Sequence, residues 1–147
     1  MNINFKVIGH HSQRYPTVGD YFGAHGVWNF RVSRLGNYRY EVCVFLHEII
    51  EFMLCRVAGI KMKDIDRFDK EYEAARKKAT ANNYQTAEGS LIHEYPPPCG
   101  CMWREEPGDD PHAPYHQQHV TATNCERLIA EALGVKWDEY TSAVESL

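Results

Sequence analysis

The chain has 147 residues, 44% of them hydrophobic and 24% charged, and a formal net charge of -4. That length fits one globular domain with a sizeable core, and the acidic balance argues against nucleic acid or an anionic membrane surface as partner. No basic-then-apolar leader opens the chain and no apolar run is long enough to span a bilayer, so the expectation is a cytoplasmic protein.

Residues 3 to 9 alternate at their start and read as a strand, followed by a connecting loop over residues 10 to 16. A short strand at 19 to 22, a turn at Gly23-Ala24-His25-Gly26 and a strand over Val27 to Ser33 come next, with Trp28, Phe30 and Val32 on one face of the last. The expectation is a small N-terminal antiparallel sheet.

Asn37 is placed to cap a helix whose apolar positions are Val42, Phe45, Leu46, Ile49, Ile50, Met53, Leu54 and Val57, stopped by Ala58-Gly59. A charged second helix, expected on the surface, runs from Asp64 to about Ala81 with Ile65, Phe68 and Tyr72 as its apolar stripe. From residue 82 to about 113 periodicity vanishes, and Pro96-Pro97-Pro98, Pro107-Gly108 and Pro111 make this a long loop of the kind that often serves function. A third helix starts near Pro114 or Tyr115 and runs to Gly134, and a short fourth spans about Trp137 to Val144. The fold class expected is α+β: the sheet packed on three to four helices in one domain, residues 1 to 147.

The five cysteines, Cys43, Cys55, Cys99, Cys101 and Cys125, give neither a paired Cys-x-x-Cys zinc pattern nor a disulfide framework, and mostly reduced thiols are expected. Cys43 and Cys55 read as small packing residues of the first helix, and Cys99-Gly-Cys101 as a reduced loop.

The first helix carries the chemistry. His47 and Glu51 are four apart, so they stand one turn above each other and can converge on one ion, while Glu48 is turned away by roughly 100°. A catalytic zinc needs about three protein ligands and an open position. The best remaining candidate is His119, which shares a helix face with Glu126, expected to lie near it as a supporting carboxylate; His116 is the substitute or a fourth ligand. Asp109, Asp110 and His112 could also ligate, but Pro-Gly-Asp-Asp-Pro reads first as turn chemistry. The plain alternative is a satisfied helix histidine with two solvated glutamates.

His47-Glu48-Ile49-Ile50-Glu51 resembles the active-site helix of the zincin metallopeptidases, with Glu51 where the second histidine normally stands. Together with Arg14-Tyr15-Pro16-Thr17-Val18-Gly19-Asp20, Arg31-Val32-Ser33, Tyr38-Arg39-Tyr40-Glu41, Glu106-Pro107-Gly108-Asp109-Asp110 and Ala113-Pro114-Tyr115, it is similar to a little-characterised family of small bacterial and phage proteins. The resemblance implies a zincin-like fold and a metal-dependent, peptidase-like hydrolase in which Glu48 is general base to metal-activated water. One divalent ion is implied, zinc first, with manganese or iron open because a carboxylate replaces an imidazole. By the same analogy the strand Val27 to Ser33 would run beside a peptide or protein substrate by strand addition. The competing reading is a non-catalytic protein-binding module with a structural or vestigial metal site. A carboxylate-histidine di-iron bundle ranks last, since neither helix offers a Glu-x-x-His pair.

Overall fold

The computed structural model describes residues 1–81 and 106–147, which form two compact units, Met1–Gly59 with Gln117–Leu147, and Ile60–His116. The Pro96-Pro97-Pro98 run, most of the long loop and the Cys99-Gly-Cys101 pair lie outside the described residues.

In the first unit, strands β1 (Asn2–Ile8), β2 (Gly19–Ala24) and β3 (Val27–Ser33) form one sheet in the order β1-β3-β2. The β2–β3 hairpin turns on His25 and Gly26, both at positive φ (50° and 76°), which suits the twist of a two-residue hairpin. The sheet is not antiparallel throughout: β1 runs parallel to β3, Asn2 opposite Val27 and Ile8 opposite Ser33. Sequence signals fix only the hairpin. The placement of β1 depends on the crossover over residues 9 to 18, which is tied down far from its own neighbours. Backbone bonds run from Ser33 N to Val18 O and from Arg34 N to Ile8 O, and the Gln13 amide donates to Val18 O. β3 is therefore central. Strand addition along it is ruled out because both of its edges are taken by β1 and β2.

Helix α1 (Tyr38–Val57) starts where the cap signal placed it: the Asn37 side chain accepts from Arg39 N at 3.0 Å. It stops at Gly59, whose φ of 74° a side chain would oppose. The face it buries is not the one its apolar series pointed to. Cys43, Val44, His47, Glu51, Phe52 and Cys55 are buried, while Met53 is 45% and Val57 86% exposed. Apolar residues ring this helix, so their periodicity cannot choose a side. Steric fit to the sheet chooses it: Phe52 meets Phe30 at 5.4 Å and Trp28 at 4.5 Å, and Phe45 meets Phe5 at 4.3 Å.

Among the described residues the further helices are α2 (Met62–Ala81), α3 (His116–Ala132) and α4 (Trp137–Glu145). α3 repeats the lesson of α1: it buries His119, Ala122, Glu126 and Ala130, while Leu128 is 68% exposed. Val32, Cys43, Val44, Ala130 and Tyr140 form the apolar cluster that joins β3, α1, α3 and α4. In the second unit α2 is not wholly a surface element, since Ile65, Asp69 and Tyr72 are buried and Tyr115 OH donates to Asp69 Oδ1 at 2.6 Å. There Pro107–Asp109 forms a 3-10 turn, and Asp110 Oδ1 accepts from both the backbone N and ring Nδ1 of His112 at 2.8 Å. Asp110 and His112 thus do the turn chemistry first read into them. Cys43, Cys55 and Cys125 are free thiols, and burial with the nearby Glu126 charge pushes Cys43 from 9.0 up to about 11. No helix among the described residues is long and apolar enough to cross a membrane.

The reassigned face of α1 is open to a direct comparison. Phe52→Ala should lower stability in denaturant unfolding by about 3–5 kcal/mol, and its neighbour Met53→Gln by less than about 0.5 kcal/mol. Equal losses would restore the apolar series as the packing face.

Candidate metal centre

The centre lies between the two clusters that α1 packs, within the first unit. Along that helix Cys43 and Val44 belong to the apolar cluster, Phe52 to the aromatic one, and His47 and Glu51 stand between them. α3 brings His119 and Glu126, seven residues apart and so on one face, to meet them.

His47 Nε2 lies 3.2 Å from His119 Nδ1 and 3.5 Å from Glu51 Oε2, and His119 Nδ1 lies 2.9 Å from Glu51 Oε2. Ligands about 2.0–2.1 Å from a tetrahedral zinc stand roughly 3.3–3.4 Å from one another, so this triangle is the size that such an ion caps. All three side chains are buried: His47 is 7%, Glu51 5% and His119 4% exposed. His47, Glu51 and His119 thus form one buried cluster of side chains able to ligate a metal.

His47 and Glu51 are each held from behind. His47 Nδ1–H donates to Glu126 Oε2 at 3.0 Å, so that whenever the ring is neutral its lone pair is on Nε2, the atom that faces Glu51 and His119. Glu126 therefore supports His47 and not His119, as sequence adjacency had suggested. Its other oxygen accepts from Tyr140 OH on α4. Tyr21 OH on β2 donates to Glu51 Oε1 at 3.0 Å, leaving Oε2 as the oxygen that points at the imidazoles. Nothing in the sequence marks the two tyrosines as partners of these carboxylates. No spacing links residue 21 or 140 to the helix motif, and only the tertiary fold makes them part of it.

Electrostatics point the same way. Burial disfavours charge on His47, but its hydrogen bonds to Glu126 and Glu51 outweigh that and hold its pKa well above 6.5. Burial likewise opposes charge on Glu51, yet the bonds from His119 and His47 bring its pKa from 4.5 down to about 2. Burial and the Glu51 charge push Tyr21 well above its usual 10.0, so it remains a donor. Two buried carboxylates and two imidazoles make a cation receptor. With both rings neutral, a divalent ion balances Glu51 and Glu126.

Glu48 is half-buried and lies against the start of β2. A Cβ added to Gly19 would stand 2.2 Å from Glu48 Oε1 and 2.6 Å from its Cδ, so this carboxylate occupies the space where a side chain would be. His116 is engaged elsewhere, its Nδ1–H donating to Gly108 O at 2.8 Å.

Comparison with protein-family models, with curated proteins and with solved structures found no match. The resemblance of His47-Glu48-Ile49-Ile50-Glu51 to a zincin helix is therefore one of sequence alone.

Two measurements test this network. Because Glu51 is depressed in the fold, its contribution is present above pH 4.5 and lost as pH falls toward 2. Metal-free protein should lose stability over that range, and Glu51→Gln should flatten this part of the curve; an unchanged curve would contradict the assignment. A double-mutant cycle tests the close approach: Gly19→Ala should destabilise when Glu48 is present and be near neutral in Glu48→Ala, with a coupling of about 1 kcal/mol.

Proposed function

We propose that the protein is a metal-dependent hydrolase with peptidase-like chemistry. The observation that carries this reading is the mutual approach of His47 Nε2, Glu51 Oε2 and His119 Nδ1 within 3.5 Å. Two imidazoles and one carboxylate are a zinc donor set that leaves a fourth position for water or substrate, and manganese or iron would be the harder alternatives. A bound divalent ion would act as a Lewis acid toward a carbonyl oxygen and acidify water. The remaining chemistry belongs to the chain. Glu126, held by Tyr140, orients the His47 ring. Tyr21 holds the outer oxygen of Glu51. Glu48, next to His47 in sequence and a third of a turn away, is the general base that takes a proton from water and returns it to the leaving amine. A peptide is the substrate class that suits this arrangement, and β2, an edge strand paired only with β3, replaces β3 as the strand beside which it would lie.

A second reading is favoured by one observation. All three ligands are less than a tenth exposed, as in closed structural sites, whereas catalytic sites keep a position open. In that case the ion stabilises the fold and the module binds a protein partner without hydrolysing it.

Protein purified without a histidine tag should contain close to one equivalent of a divalent metal by elemental analysis, or take it up from Zn, Mn or Fe. Glu48→Gln should retain the metal and lose roughly 100-fold or more of the cleavage seen by mass spectrometry on a mixed peptide library. Metal uptake with cleavage unaffected by Glu48→Gln would remove the base assignment, and failure to bind any of the three metals would remove the reading itself.

A further inference from the structure

Residues 1–36 hold Lys6, Arg14, Arg31 and Arg34 against a single carboxylate, Asp20, in a chain whose net charge is -4. The sheet region is thus basic within an acidic protein. Three of these cations gather on the face of the sheet away from Phe30 and Val32. Lys6 and Asp20 are the cross-strand neighbours of Arg31 in β1 and β2. The Phe22 ring lies between two guanidinium groups, 4.6 Å from Arg14 Cζ and 4.7 Å from Arg31 Cζ.

The two arginines differ in one respect. Arg14 donates from Nε and Nη2 to the two oxygens of Asp20, at 2.7 Å each, a fork-on-carboxylate pair to which Tyr15 OH adds a bond. Arg31 stacks on the same ring, but among the described residues neither its guanidinium nor the Lys6 ammonium has a carboxylate partner. A half-buried guanidinium held flat on an aromatic ring keeps its N–H fork in one orientation, so little freedom is lost when a planar carboxylate meets it.

We infer that the Lys6–Arg31–Phe22 face binds an acidic peptide segment of a partner protein, with one carboxylate on the Arg31 fork and a second on Lys6. Asp20 on Arg14 is the internal example of the same contact. A nucleic acid fits less well: two unpaired cations neutralise too few phosphates, and the excess negative charge of the rest of the chain repels a long polyanion.

The test is fluorescence polarisation with a labelled decapeptide of alternating glutamate and serine at about 50 mM salt, where surface charges are only partly screened. Saturable binding is expected, weakened about tenfold by Arg31→Gln and by Lys6→Gln, each of which removes one charge-assisted contact. Arg67→Gln, at an exposed arginine of α2, should leave it unchanged. Lys6 is exposed, so its variant reports on binding even if Arg31→Gln disturbs the fold. The proposal is overturned by absence of binding, by binding that both variants leave intact, or by tighter binding of an oligonucleotide of equal charge. It is also overturned if sedimentation shows self-association lost in Lys6→Gln, which would make a second copy of the chain the occupant.

Discussion

Two buried carboxylates decide how this protein packs. Glu51 and Glu126 stand on the inner faces of α1 and α3, where an unpaired charge costs several kcal/mol, so each must be met from several directions at once. Glu51 is met by His119, His47 and Tyr21, and Glu126 by His47 and Tyr140. Together with the aromatic fit of α1 to the sheet, these contacts set the rotation of both helices. They explain why Met53, Val57 and Leu128 are exposed while histidines and glutamates lie inside. Among the described residues Gln13 Oε1 is the only buried side-chain nitrogen or oxygen without a hydrogen-bond partner, so the centre itself is fully satisfied.

A network of this kind is poised rather than merely stable. Metal-free, it shares protons among imidazoles pressed between carboxylates. An ion entering it has to displace them, and in return finds its donors already oriented by the phenols and by Glu126. The polar atoms that make the interior expensive to build are those that make it selective for a cation. This also accounts for the flanking apolar and aromatic clusters, which keep solvent from the donors and fix the side-chain rotamers that preorganise them.

Local signals made much of this legible in the sequence. The Asn37 cap and Gly59 stop bound α1, the His25-Gly26 turn set the hairpin, and the four-residue spacing placed His47 and Glu51 side by side, 3.5 Å apart. His119 followed from the need for a third donor, and it is the residue that the fold delivers beside them. What sequence could not supply was anything decided by distance. The parallel partner of β1, the choice of face on a helix that is apolar all round, the transfer of Glu126 from His119 to His47, and the arrival of Tyr21 and Tyr140 all depend on tertiary contacts with no periodic signature.

The centre joins residues 72 apart at His47 and His119, and 79 apart at His47 and Glu126. Half of it is in place as soon as α1 forms, because His47 and Glu51 are a turn apart. The other half arrives only when a long loop has closed. Closure entropy grows with the logarithm of loop length, about 0.6 kcal/mol for each doubling, so the intervening chain can gain or lose many residues at little cost to the site. The centre thus makes strict demands on short stretches of α1 and α3 and only a weak, logarithmic one on how many residues separate them.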